Sequence, residues 1–177
     1  KKYQNEQTGW DIGHVSTPLK EYFDQIEDKH IKVLIPGAGN AYEAEYLWKK
    51  GFKEVYVVDI SSTPLTRFAE RNPNFPKSQL LNVDLFLLEG QFDLIIEQTF
   101  FCALNPSLRK RYAEKMHQLL RPEGRLVGLM FNVPLNSDRP PFGGNETEYR
   151  SLFSASFKID MMEEAYNSIP PRQGNEL

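Results

Sequence analysis

The 177 residues, 40% of them hydrophobic, can bury the core of one globular domain over residues 1–177, with no room for a second, substrate-holding domain. The formal charge is −3 with Lys and Arg interspersed among Asp and Glu, so the basic footprint of a nucleic-acid binder or of a protein held on an anionic membrane is missing. The single cysteine, Cys102, excludes an internal disulfide framework and a multi-cysteine metal site; no run of 18 apolar residues occurs, and a cytoplasmic monomer is expected.

The chain opens on Lys1 without a methionine, and a longer N-terminus is expected. Residues 1–30 form an arm and a first helix. That helix, over residues 17–26, begins Thr17-Pro18, an N-cap followed by proline at the first helical position, and its Leu19, Tyr22, Phe23 and Ile26 recur at helical spacing. Residues 31–35 are apolar and β-branched and end at Pro36-Gly37, the pattern of a buried strand. A short helix over 42–50 follows, with Gly51 at its end, then a strand over 54–59 that finishes on Asp59. Ser61-Ser62-Thr63-Pro64 starts a helix that stops before Pro73.

A short strand over 79–82 and a clear one over 92–97 come next. Asn105-Pro106 opens a long helix to residue 120, with Leu108, Tyr112, Met116, Leu119 and Leu120 on one stripe. Residues 121–124 make a turn into a strand over 125–131; a loop rich in Pro, Gly and Asn leads to a helix over 146–153 and a late strand over 157–166. The last residues, 174–177, are expected to stop just short of one more edge strand. The alternation specifies an α/β fold with a mostly parallel, twisted sheet and helices on both faces.

In such sheets a ligand sits outside the carboxyl ends of the strands where their order reverses. That places the turn "IPGAGNAYE", Asp59 and the loop after Ile96 around one crevice. Gly37 and Gly39 let backbone approach a ligand, and the following helix N-terminus favours an anion. A Gly-x-Gly after a strand can be only a tight turn, but Asp59, about 20 residues on, stands where an acid grips ribose hydroxyls. Two nucleoside ligands fit, a nicotinamide dinucleotide and S-adenosylmethionine. Ala41 and Tyr42 occupy the place of the third glycine that pyrophosphate binding uses, and bulk there favours a smaller anion.

The stretches "GWDIGHVSTPL", "IPGAGNAYEA", "VVDIS", "FDLIIEQTFFCALNPSLRKRYAEKM", "LLRPEGRLVGLMF" and "PPF" together resemble the thiopurine S-methyltransferase family, whose branch includes plant and bacterial halide and thiol methyltransferases. The resemblance runs from Gly9 to about Arg172. It implies a Rossmann-like class I methyltransferase that uses S-adenosylmethionine and releases S-adenosylhomocysteine. By position, Gly37 and Gly39 would lie under the methionine moiety, Asp59 would hold the ribose, and Ile60, Val83 and Asp84 would meet the adenine. Glu97 and Gln98 would line the sulfonium end, and Trp10 from the arm would close over it. The family's turn commonly reads Pro-Gly-Cys-Gly-x-Gly-x-Asp; this chain departs from it at Ala38, Ala41 and Glu43.

The acceptor pocket is expected from Phe100, Phe101, His14 with Trp10, and the loop carrying Phe142. Aromatic and proline content there suits a small, soft methyl acceptor such as a thiolate or halide, and such a nucleophile needs no strong general base. His14, His30 and His117 are scattered without ligand spacing, so no metal is expected. Cys102 reads as a small buried hydrophobe, and Arg109-Lys110-Arg111 as a solvated helix face. The alternatives are an NAD(P)-binding oxidoreductase-like domain, for which a Tyr-x-x-x-Lys pair is missing, and a non-catalytic module that binds S-adenosylmethionine.

Overall fold

The computed structural model describes residues 12–177. In chain order it contains α1 (Thr17–Asp24), β1 (Val33–Pro36), α2 (Tyr42–Lys49), β2 (Val55–Asp59), α3 (Ser62–Arg71), β3 (Leu80–Asn82), β4 (Phe92–Gln98), α4 (Arg109–Leu119), β5 (Leu120–Leu129) and α5 (Glu146–Phe153). The strands pair in the order β3-β2-β1-β4-β5, every neighbouring pair parallel. The α/β reading and its parallel sheet therefore hold.

Strand alternation divides the sheet residues between two cores. Val33, Ile35, Val55 and Val57 pack under α1, α2 and α3 through Phe23, Leu47 and Phe68, whereas Leu34, Val58 and Ile95 face α4 and α5 through Tyr112, Met116 and Phe153. The central strand β1 is buried along its whole length, which is why its sequence is a continuous apolar run rather than an alternating one. The end of α2 shows how sequence ends a helix here. Gly51, at φ 97°, lets its own N–H reach Trp48 O (3.0 Å) and the Phe52 N–H reach Leu47 O (3.2 Å), and Phe52 then drops into the core beside Leu47.

Several sequence expectations are corrected. The N-cap of α1 is Ser16, not Thr17, so proline occupies the second helical position and no side chain caps the end. The helix expected over 105–120 starts as a 3-10 turn, Pro106–Leu108, because the Asn105 side chain accepts the Ser107 N–H (3.0 Å) and tightens the entry. Leu108 thereby leaves the buried stripe, and Arg109 and Ala113 join Tyr112, Met116 and Leu119 in it. The turn over 121–124 lies inside β5 as a bulge. Phe92 pairs with Leu120 and Leu94 with Arg125, so residues 121–124 loop out opposite Asp93.

Residues 157–166 form no strand. The edge beyond β5, along its continuation, is instead filled by the end of the chain. Met130 and Leu177 exchange N–H to O bonds of 3.0 and 2.9 Å, and the Asn132 N–H reaches Asn175 O at 2.8 Å. Residues 175–177 thus run antiparallel to this extension, as the bridge of Phe131 with Glu176 shows.

Candidate active site

Strand order reverses between β1 and β4, so the chain leaves their carboxyl ends in opposite directions and a crevice opens between them. The turn after β1 bends three times through the left-handed region, at Gly37 (φ 74°), Gly39 (φ 50°) and Ala41 (φ 51°). The Gly37 N–H bonds Val58 O (2.8 Å) and the Ala41 N–H bonds Ala38 O (2.6 Å). A Cβ on Gly37 would lie 2.3 Å from Phe100 Cδ2, so the first glycine is required by a ring, while the space over Gly39 is open. At Ala41 a side chain sits in a conformation that costs an L-residue about 1 kcal/mol. Ala41, at the N-cap, offers no side-chain cap to α2, and the Glu43 carboxylate in the first turn accepts its own N–H.

Asp59 ends β2 beside this turn. Its Oδ2 accepts the Ala38 N–H (2.9 Å) and its Oδ1 the Ser61 N–H (2.7 Å), which ties the glycine turn to the start of α3 and uses half of the carboxylate's acceptor capacity. Burial pushes its pKa up while those two N–H groups pull against the shift. Ile60 follows it, 75% exposed. The Asn82 amide holds Asp59 O and Ile60 O, each at 3.0 Å, and so fixes the rim that leads to half-buried Val83. Asp84 caps a short 3-10 turn by accepting the Phe86 N–H at 2.9 Å.

The third side of the crevice is the end of β4. Gln98 projects toward the α1 face and lines a small cavity with Gly37, Gly39, Glu43, Thr99 and His14; Ser16 Oγ donates to its Oε1 at 3.5 Å. Glu97 points to the opposite face, which corrects the expectation that its side chain lines the crevice. It is 2% exposed, its Oε1 accepts the Phe100 and Phe101 N–H groups, both at 2.8 Å, and its Oε2 accepts the Tyr112 hydroxyl at 2.6 Å. Burial drives its pKa to about 7 against those three donors.

Among the expected acceptor residues, His14 borders the cavity and the Phe100 ring lies against Gly37. Phe101 does not belong there. It is 1% exposed and packed among Tyr112, Tyr149 and Phe153, because Glu97 turns its main chain into the α4 core. Phe142 is also buried, with its N–H bonded to Cys102 O (2.7 Å), so its loop backs the loop after β4. Trp10 lies outside the described residues. Cys102 is the small buried group expected, its thiol pushed up to about 12 by burial and by the nearby Glu97. Arg109, expected in solvent, is buried against the Phe101 ring and donates to Gly143 O (2.7 Å) and to Glu148.

Sequence reasoning missed two residues here. Glu43 is buried in the first turn of α2, accepts the Ser16 N–H (3.4 Å) and has its pKa raised by burial; an acid just inside a glycine turn was the available signal. Thr99 adopts φ 60°, which nothing in its sequence announces. Among the described residues no group of His, Cys, Asp and Glu could hold a metal, and no helix is long and apolar enough to cross a membrane.

A parallel sheet in this order, with a glycine turn, an acid closing the second strand and a crevice at the point of reversal, is a Rossmann-like fold, and the family to which the chain belongs makes it an S-adenosylmethionine-dependent methyltransferase. The chain belongs to the thiopurine S-methyltransferase family, whose model matches residues 1–176. It is 29% identical to a probable thiol methyltransferase 2 of Arabidopsis thaliana, over 99% of this chain and 80% of that protein. It is 27% identical to a thiopurine S-methyltransferase of Bos taurus, over 95% of this chain and 81% of that one. Its fold resembles the 1,6-didemethyltoxoflavin-N1-methyltransferase of Burkholderia thailandensis, solved with S-adenosylhomocysteine (TM-score 0.76, 20% identity, 99% and 80% of the two chains). A TehB-like methyltransferase of Corynebacterium glutamicum is similar as well (TM-score 0.70, 19% identity, 99% and 90% coverage).

Proposed function

We propose that this chain methylates a small, soft nucleophile such as a thiolate, thiocyanate or halide, and that the crevice between the ends of β1, β2 and β4 holds the methyl donor. The observation that carries the reading is Asp59, whose carboxylate accepts the Ala38 and Ser61 N–H groups and so stands beside the glycine turn with acceptor capacity that suits the two hydroxyls of a ribose. The remaining residues fit the group. The cavity over the turn is lined by Gly37, Gly39, Asn40, Gln98 and Thr99, groups that suit a polar head group. The open space over Gly39 suits the amino-acid end of the donor, and the nucleoside would lie past Asp59 against exposed Ile60, with Val83 and Asp84 at its edge.

S-adenosylmethionine supplies, when bound, a methyl group on a sulfonium, an electrophile with a neutral leaving group. The protein's part is alignment and exclusion of water, not proton transfer, since a soft nucleophile arrives ready to react. Gln98, Thr99 and His14 border the cavity over the turn, and the Phe100 ring stands over Gly37. The names of the plant relatives, a probable thiol and a thiocyanate methyltransferase, support this acceptor class. The reading takes residues 1–177 as one domain acting as a cytoplasmic monomer on a small molecule, a setting that a single buried cysteine suits.

Titration calorimetry with S-adenosylhomocysteine, followed by turnover with iodide, bisulfide, thiocyanate and an aromatic thiol, tests it. Binding and methylation of at least one acceptor are expected; binding with no turnover would reveal a ligand-binding module, and affinity for NAD(H) instead would make the crevice a dinucleotide site. Asp59→Ala is expected to weaken S-adenosylhomocysteine by about 1–3 kcal/mol, because the ribose hydroxyls lose a charged acceptor. Unchanged affinity removes Asp59 from the site.

A further inference from the structure

The loop that leaves β4 is strained and over-determined. Thr99, a β-branched residue, stands at φ 60°, where such residues rarely go. Immediately beyond it, one carboxylate oxygen of Glu97 gathers the N–H groups of Phe100 and Phe101, and the other takes the Tyr112 hydroxyl from α4. On the neighbouring strand Gly128 leaves room for Glu97, since a Cβ there would come within 2.4 Å of Glu97 Cβ. The product of these contacts is functional in place. Gln98 and Thr99 are presented to the crevice, and the Phe100 ring is set on Gly37 so closely that no larger residue fits beneath it.

We propose that Glu97, buried on the far side of the sheet, is the positioning residue that holds the loop after β4 in its crevice-facing course and so sets how tightly the methyl-donor site closes. The proposal rests on the reading of the crevice as that site. Glu97 touches no ligand; it acts through the main chain of Phe100 and Phe101. A carboxylate accepts these N–H groups more strongly than a neutral carboxyl does, so the loop is held harder when Glu97 is ionised. The titratable groups that face it are Tyr112 from α4 and Cys102 from the loop itself; β5 presents only Gly128. Burial keeps its pKa near 7, so the change falls within an accessible pH range, and the Tyr112 hydrogen bond holds it from rising further.

The test is the dissociation constant of S-adenosylhomocysteine, by calorimetry from pH 5.5 to 8.5, for the wild type, Glu97→Gln and Tyr112→Phe, with thermal melting of the unliganded proteins alongside. In wild type, binding tightens as the pH rises through about 7, by roughly three- to tenfold, the worth of one strengthened hydrogen bond. Tyr112→Phe moves that inflection to higher pH because the carboxylate loses a donor. Glu97→Gln, whose amide oxygen still accepts both N–H groups and whose NH₂ can donate to Tyr112, folds but loses the inflection. Three coincident profiles, or a wild type whose affinity does not change with pH, overturn the proposal alone. Failure of the wild type to bind S-adenosylhomocysteine at any pH overturns the reading of the crevice, and this proposal with it.

Discussion

Ala41 holds the family's third-glycine position with a side chain, and the structure shows what that costs: the residue keeps the left-handed conformation a glycine would take without strain. Ala41→Gly is therefore expected to stabilise the protein by about 0.5 kcal/mol, relief of about 1 kcal/mol of left-handed strain less about 0.5 kcal/mol for the entropy that glycine restores to the unfolded chain, as read by thermal or denaturant melting. A loss of stability would mean that the Ala41 methyl, 3% exposed in the α1-α3 core, contributes more by packing than it costs by strain. Glu97 makes a second prediction at this scale. Its pKa is raised from the ordinary 4.5 to about 7, so the folded state binds the extra proton between those values. The group's contribution to stability is thus fully present below about pH 4.5 and is lost as the pH climbs through about 7, a change of roughly 3 kcal/mol. Melting temperatures of wild type relative to Glu97→Gln should fall from pH 5 to pH 8. A buried carboxylate that destabilises the fold when charged yet grips a site loop more firmly is a strain placed where function needs it.

At the scale of elements, the two connections that back the crevice are joined by α4. Arg109, at its first position, donates to Gly143 O in the loop before α5 and to Glu148 within α5, and its guanidinium lies 4.9 Å from the centre of the Phe101 ring. The Phe142 N–H then ties the same loop to Cys102 O. Removing the guanidinium leaves a carbonyl without its donor and a ring without its cation, so Arg109→Ala is expected to cost about 2–4 kcal/mol in denaturant unfolding. A cost under 0.5 kcal/mol would return Arg109 to the solvated role that its basic neighbours Lys110 and Arg111 suggest. The sequence could not make this distinction. The stripe reading began at Leu108; the Asn105 side chain accepts the Ser107 N–H and makes the first turn 3-10, so Leu108 drops out and Arg109 and Ala113 join the stripe, while Tyr112, Met116 and Leu119 keep their places.

At the scale of the whole molecule, the crevice is assembled from the ends of β1, β2 and β4, so a ligand bound there links segments far apart in the chain. S-adenosylhomocysteine at about 100 times its dissociation constant is expected to add about 2.7 kcal/mol, raising the melting temperature by about 5–10 °C for a domain of this length. No shift at saturating ligand would contradict a site built from the native sheet. The core strands and α2 were legible in the sequence, because buried parallel strands are short apolar runs ended by Gly or Asp and helices carry their own period. The strand expected over 157–166 was not, since that segment bonds to the main chain of residues 175–177 only through the Ala165 N–H to Glu176 O (2.9 Å), and strand pairing is decided by long-range docking rather than by local pattern.

Local chemistry alone determined the alternating α/β order, the glycine turn after β1, Asp59 at the close of β2 and, through the combination of motifs, the family. These features depend on neighbours within a few residues, and such neighbours are written in the sequence. Only the tertiary structure decided which way the end of β4 faces. One-residue alternation sends Gln98 into the crevice and Glu97 beneath it, and whether that buried carboxyl finds Phe100, Phe101 and Tyr112 depends on how α4 docks on the sheet.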